Sequence, residues 1–264
     1  MSILPSLFVS HGAPTFALEP GLAGPRLRAL GEALPRPRAI LIISPHWMTR
    51  DLRITGNATP ETIHDFGGFA PALYRLQYPA AGHPALASEL ADLLTEAGWP
   101  VSLDLQRGLD HGAWVPLLHL YPQADIPVLQ LSMPTDLDPE SAYALGQALA
   151  PLSHQGILVI GSGSLTHNLY EALGHSSGDA EYANEFSAWV RNAVHNGQHQ
   201  QLKQTLTLAP HASRAHPTSE HFLPLLVALG AANGRTDATV LEGGLDYGVL
   251  SMDSFVFGAS LANI

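Results

Sequence analysis

The chain has 264 residues, 46% of them hydrophobic and 13% charged, with a formal net charge of -11 and no cysteine. That balance belongs to a well-buried globular protein, and the 12 scattered Lys+Arg argue against nucleic acid or an anionic membrane as partner. No apolar run approaches the roughly 18 residues of a membrane span, and MSILPSLFVSHG lacks the basic start of a signal peptide, so one cytoplasmic domain over residues 1–264 is expected.

Short apolar runs alternate with helical patterns along the chain. Residues 4–9, 39–43, 101–105, 127–133 and 156–160 read as strands, several apolar on both faces, as expected of central strands covered by helices on each side. The stretch 57–78 bears Gly and Pro but is too aromatic for a spacer and reads as a structured loop excursion. Residues 84–97 place Leu86, Leu90, Leu93 and Leu94 on one helical stripe, stopped by Gly98. Asp138 before Pro139 is an N-cap and first-turn pair for a helix carrying Tyr143, Leu145 and Leu149. Another helix runs from about Asp179 to residue 195, turning Tyr182, Phe186, Trp189 and Val190 inward, with Gly197 near its stop. The last helix starts near Thr218 and ends before Gly230, and residues 238–242 and 249–257 read as two closing strands. This order predicts an α/β fold of three layers, a central mostly parallel or mixed sheet flanked by helices, with ligands bound at the carboxyl ends of the strands.

The 14 histidines carry the chemistry. A chain without thiols builds a transition-metal site from imidazole, carboxylate and water. His11 in LFVSHGAP, His46 in AILIISPHW and His167 in GSGSLTHN each follow a strand at its carboxyl end, so three crossings deliver imidazoles to one rim. His221 stands in HPTSEHFLPLL, beside the last amphipathic helix.

Six segments taken together resemble the class III (LigB-like) extradiol ring-cleavage dioxygenases, in their 4,5-DOPA dioxygenase branch. They are SHGAP at 10–14, SPHW at 44–47, TIHDFGGF at 62–69, DHGAWVPL at 110–117, GSGSLTHNL at 161–169 and HPTSEHFLPLLVALGAA at 216–232. No one motif is very specific; six in the right order are. The resemblance implies a mononuclear metal held by His11, His46 and His221. It implies for His167 either a fourth ligand or the acid/base, and for His111 a partner that hydrogen-bonds substrate or oxygen. His64 with Asp65, and His216, are implied substrate-binding residues. Because the wider superfamily takes a glutamate as third ligand, Glu220 is the alternative to His221. Adjacent residues on a helix lie about 100° apart, so only one of the two can face the metal, and the stripe of Phe222, Leu225, Leu226 and Leu229 favours His221. His83, His119, His154, His175, His195, His199 and His211 match nothing and read as solvated or structural.

The implied reaction opens a catechol ring with O2 beside its two hydroxyls, using Fe(2+) for activity. Zn(2+) competes for such nitrogen sites and can stand in its place. Two other readings stay open: a zinc hydrolase with Glu220 or Asp65 as base, and a non-catalytic binder on the same fold. The chain has no HExxH, its GSGS run is not GxSxG, and that run lacks the later glycine of GxGxxG.

Overall fold

The computed structural model describes residues 3–174 and 180–262. Ten strands form: β1 (Ser6–Ser10), β2 (Ala39–Thr49), β3 (Arg53–Thr55), β4 (Ser102–Asp104), β5 (Val128–Pro134), β6 (Ile157–Gly163), β7 (Ala238–Leu241), β8 (Leu245–Asp246), β9 (Leu250–Ser251) and β10 (Ser254–Phe257). Eight of them make one sheet in the order β4-β3-β5-β2-β6-β1-β10-β7, and β8 pairs with β9 in a small ribbon. The centre, β5-β2-β6-β1, is parallel, while β10 and β7 join antiparallel and β3 runs antiparallel to β5. The sheet is therefore mixed, as the sequence predicts.

The apolar runs explain why both faces are covered. Leu41 and Ile43 of β2 pack under one helical layer and Ile40 and Ile42 under the other, the alternation of a pleated strand with no wet face. The main helices are α1 (Ala23–Ala33), α2 (Pro84–Glu96), α3 (His111–Leu120), α4 (Pro139–Leu149), α5 (Glu181–His195) and α6 (Leu223–Ala231). Leu27 and Leu30 of α1 and Trp114 and Leu117 of α3 close one face; Leu86 and Leu90 of α2, Leu145 of α4, Phe186 of α5 and Leu226 of α6 close the other. Asp138 caps α4 in a reciprocal capping box with Ser141, Pro139 taking the first turn.

Three predicted elements change their bounds for a physical reason. Strand β2 continues past Ile43 to Thr49, its register against β5 slipping between Ile43 and Met48. His46 therefore sits inside the irregular end of a strand and not after it. Helix α6 begins at Leu223 rather than Thr218, with Pro224 in its first turn. A start at 218 would put Pro224 in the helix interior, where its missing N–H breaks the ladder. Residues 249–257 divide into β9 and β10, because Asp253 turns inward to accept a hydrogen bond from the Gly243 N–H at 2.8 Å and to pair with Arg191 at 2.7 Å. Helix α5 is described from Glu181; the predicted start at Asp179, and His175, lie outside the described residues. Helices α1 and α3 were not among the predicted elements; α3 is apolar all round and contains Pro116, so no helical stripe marks it. No helix of the described residues is long and apolar enough to cross a membrane.

Candidate metal centre

Neighbouring strands and two flanking turns bring four histidines together. His11 follows β1 directly, its backbone N–H bonded to the Gly163 carbonyl at 2.9 Å, which ties the ends of β1 and β6. His46 arrives on β2, on the other side of β6. His221 lies in the turn before α6, and its carbonyl accepts the Ser164 N–H at 3.0 Å, just past β6. His111 is the first residue of α3, whose N-cap Asp110 accepts the Ala113 N–H at 3.2 Å.

The glycines of the motifs serve this convergence rather than a phosphate. A Cβ on Gly112 would strike Ser44 Oγ and approach His46, and one on Gly163 would strike the His221 carbonyl. A Cβ on Gly161 would strike the Pro224 carbonyl. The GSGS run is thus a smooth strip of β6 against which the His221 turn and α6 lie.

The hydrogen bonds decide which ring nitrogens are bare. Ser162 Oγ donates its one proton to the Gly112 carbonyl, so at 2.9 Å it must accept from His11 Nδ1–H. His11 Nε2 is left with a lone pair. His221 Nδ1 faces Glu220 Oε1 at 3.2 Å, a proton acceptor, and its Nε2 is buried with no hydrogen-bond partner. His46 Nδ1 lies 3.9 Å from Asp65 Oδ2, and its Nε2 lies 3.1 Å from His11 Nε2. Ligand nitrogens of His11, His46 and His221 all fall within 4.8 Å of one another. Two nitrogens bonded to one cation at about 2.0–2.1 Å are about 3–3.4 Å apart, so the His11–His46 gap already has that spacing. With the His46 proton on Nδ1, three bare nitrogens point at one another and repel, and a cation between them satisfies all three.

Electrostatics agree. Burial, and then the neighbouring imidazoles, hold His11 and His221 well below the usual histidine value. Burial also lowers His46 to about 3 and His167 to about 4. These rings are neutral at physiological pH, the form that binds metal. His167 stacks on His221, ring centroids 3.4 Å apart and 7° from parallel, and groups with Glu220 and His221 rather than with His11 and His46. A cavity of about 330 Å³ opens over the cluster. His46, His111, His167 and His221 form part of its wall, and Pro14, Phe66, Phe69, Leu169 and Leu250 are among the apolar residues of the rest. Its size and its few convergent polar groups suit a small aromatic molecule.

Residues 17–257 match the family described as the catalytic LigB subunit of aromatic ring-opening dioxygenase. The chain belongs to that family. It is 42% identical over 260 residues to the 4,5-DOPA dioxygenase extradiol of Beta vulgaris, covering 97% of each chain. It is 41% identical over 259 residues to that of Escherichia coli, covering 97% of this chain and 95% of the relative. The crystal structure of an uncharacterized protein from Escherichia coli K12 superposes with a TM-score of 0.80 at 34% identity, over 97% of this chain and 100% of that one. This LigB chain is an extradiol aromatic ring-opening dioxygenase, and its histidine cluster can hold the metal on which such enzymes depend.

The LigB fold places the remaining predicted residues unevenly. Glu220 and His221 are not on a helix, so the exclusion of one by the other does not apply: both turn toward the site, with Glu220 Oε1 also accepting from Thr218 Oγ1 at 2.9 Å. His64 is outside the cavity wall, its Nε2 bonded to the Leu76 carbonyl at 2.9 Å and its ring among Phe66, Tyr74 and Trp114. His216 is also behind the wall. Its Nε2–H donates to the Leu165 carbonyl at 2.8 Å, its ring packs between Phe186 and Phe222, and burial lowers it to about 4. Of the histidines that matched nothing, His83 caps α2 by accepting the Leu86 N–H, His119 bonds the Phe16 carbonyl and His211 pairs with Glu185. Sequence reasoning missed Ser162, although it lies in the quoted GSGS run. A serine on the same strand end as a metal-directed histidine was the available signal. Tyr247, a wall residue with φ of 49°, left no signal at all.

Proposed function

We propose that the chain is one catalytic domain over residues 1–264 that opens a catechol-type, DOPA-like ring with O2 in the cytoplasm, using ferrous iron held by His11, His46 and His221. The observation that carries this reading is the convergence of three imidazole nitrogens, at least two with their protons directed elsewhere, on one dry point beneath an apolar cavity. Bound there, ferrous iron supplies a Lewis acid with open positions that brings a catechol and dioxygen together. The chain's own residues do the rest. Phe66 and Phe69, packed edge to face at 5.5 Å, offer an aromatic ring an apolar wall and exclude water, which strengthens every polar contact inside. His167 is neutral, lines the cavity and accepts the catechol hydroxyl proton, returning it after ring opening. His111, on the opposite side at the α3 start, donates a hydrogen bond to substrate or oxygen. Glu220 orients His221 through Nδ1 and serves as a ligand only if His221 is lost.

Zinc would fit the same nitrogens and, bound there, would not support the redox chemistry. The protein loaded anaerobically with ferrous iron and then exposed to air with DOPA and a panel of catechols is expected to consume one O2 per ring and form a yellow product; the zinc-loaded protein is expected to do neither. No oxygen uptake across the panel with iron demonstrably bound would overturn the reading. For His167, replacement by alanine is expected to leave metal stoichiometry at the wild-type level and lower kcat about 100- to 10,000-fold, the usual contribution of a general base. Metal analysis and steady-state kinetics check it, and loss of metal would make His167 a ligand instead.

A further inference from the structure

Asp65 is the carboxylate closest to the cluster on the side away from Glu220, and it faces two imidazoles at once. Its Oδ1 accepts the His111 backbone N–H at 2.9 Å, and its Oδ2 lies 3.0 Å from His111 Nδ1 and 3.9 Å from His46 Nδ1. His46, Asp65 and His111 form one of the three clusters whose ligand atoms lie within 4.8 Å of one another among the described residues. Asp65 is not part of the cavity wall, whereas both histidines are. It therefore reaches the bound molecule only through them.

The loop bearing Asp65 is pinned on both sides. The Ile63 N–H bonds the Leu109 carbonyl at 2.8 Å, and the Ile63 carbonyl accepts Trp114 Nε1–H at 2.8 Å, so the loop is fixed to the residues just before α3 and to its first turn. Thr62 Oγ1 accepts the Tyr78 N–H at 2.9 Å, holding the other flank. The carboxylate is thus rigid relative to His111, and a fixed negative charge 3.0 Å from Nδ1 favours the tautomer with its proton there.

We propose that Asp65 is a positioning residue shared by the metal site and the proton donor. Its one carboxylate, 3.0 Å from His111 Nδ1 and 3.9 Å from His46 Nδ1, favours the Nδ1–H tautomer of both through its charge, without an in-line hydrogen bond to either, leaving the Nε2 of His111 for the cavity and the Nε2 of His46 for the metal. A carboxylate beside a ligating histidine raises its strength as a ligand and fixes its ring. The same carboxylate beside His111 sets which of its nitrogens meets the substrate. The assignment rests on the dioxygenase reading for the use made of His111, and on geometry alone for the tautomers.

Asp65→Asn separates positioning from bulk. Oδ1 must keep facing the His111 N–H, since the reversed amide would set two donors against each other, so an NH2 group replaces Oδ2 opposite His111 Nδ1. Nδ1 then becomes the acceptor and the proton moves to Nε2. In 15N-histidine NMR of the zinc-loaded protein, His111 is expected to be Nδ1–H in the wild type and Nε2–H in Asp65→Asn. With iron, kcat of that variant is expected to fall about 100-fold with KM for catechol changed less than about 3-fold. Asp65→Ala is expected to weaken zinc binding about 10-fold through His46, measured by chelator competition. An unchanged His111 tautomer in Asp65→Asn, a loss carried by KM, or unchanged zinc affinity in Asp65→Ala would each overturn the proposal. If the wild-type protein shows no ring opening, the NMR and zinc measurements still decide the role of Asp65, so the two readings fail separately.

Discussion

His11→Ala is expected to lose metal retention and turnover together, with the fold preserved. His11 is 1% exposed, between the ends of β1 and β6. Groups that merely orient a metal ligand are worth about 10- to 100-fold in affinity; a ligand itself, one of three, is worth more than that. Alanine leaves a cavity the size of an imidazole, but it removes Nε2 from its 3.1 Å approach to His46 Nε2. The thermal stability of the metal-free protein is accordingly expected to change far less than its metal affinity. Metal content after dialysis, a chelator titration and a melt of the metal-free form check the three parts. Full metal content and wild-type kcat in this variant would remove His11 from the site.

Gly163→Ala is the second large effect, although its residue touches neither metal nor substrate. The added methyl meets the His221 carbonyl and Phe8, and a backbone carbonyl at that point cannot swing aside as a side chain can. That carbonyl already accepts the Ser164 N–H at 3.0 Å, so moving it breaks a buried hydrogen bond as well. Overpacking of this kind costs about 1–3 kcal/mol. At about 2–4 °C per kcal/mol for a chain of this size, the melting temperature is expected to fall by several degrees. The displaced turn also carries His221 away from His11 and His46, so metal affinity falls with stability. A variant that melts normally and retains metal would show that the turn has room the structure does not provide.

Much of the architecture was legible because burial writes itself into residue type. The runs at 39–43 and 156–160 are apolar at every position and too short for a buried helix, as a strand covered on both faces tolerates. Capping chemistry at Asp138 and Pro139 was equally local. What failed depended on a register set far along the chain or on a helix start misplaced by a few residues. The irregular end of β2 that presents His46 arises where its register against β5 slips, and nothing in SPHW states where β5 lies. The helical-wheel argument for choosing between Glu220 and His221 does not apply because Pro224 fixes the start of α6 at Leu223, past both, leaving them in a turn. The histidines that converge on one point were visible from motifs; their tautomers were not, since those depend on Ser162, Glu220 and Asp65.

The three metal-directed imidazoles come from residues 11, 46 and 221 of a 264-residue chain. A cation held by them is a cross-link between the first strand and the segment leading into the last helix, closing nearly the whole polypeptide into a loop. The complete clasp exists only where β1, β2 and the His221 turn are all docked on β6, so a metal held by all three favours the folded chain. It also couples metal supply to the lifetime of the protein, because any ion that binds the folded chain alone stabilises it by mass action. Zinc, inert in the proposed chemistry, would protect the chain from unfolding as well as the catalytic ion does.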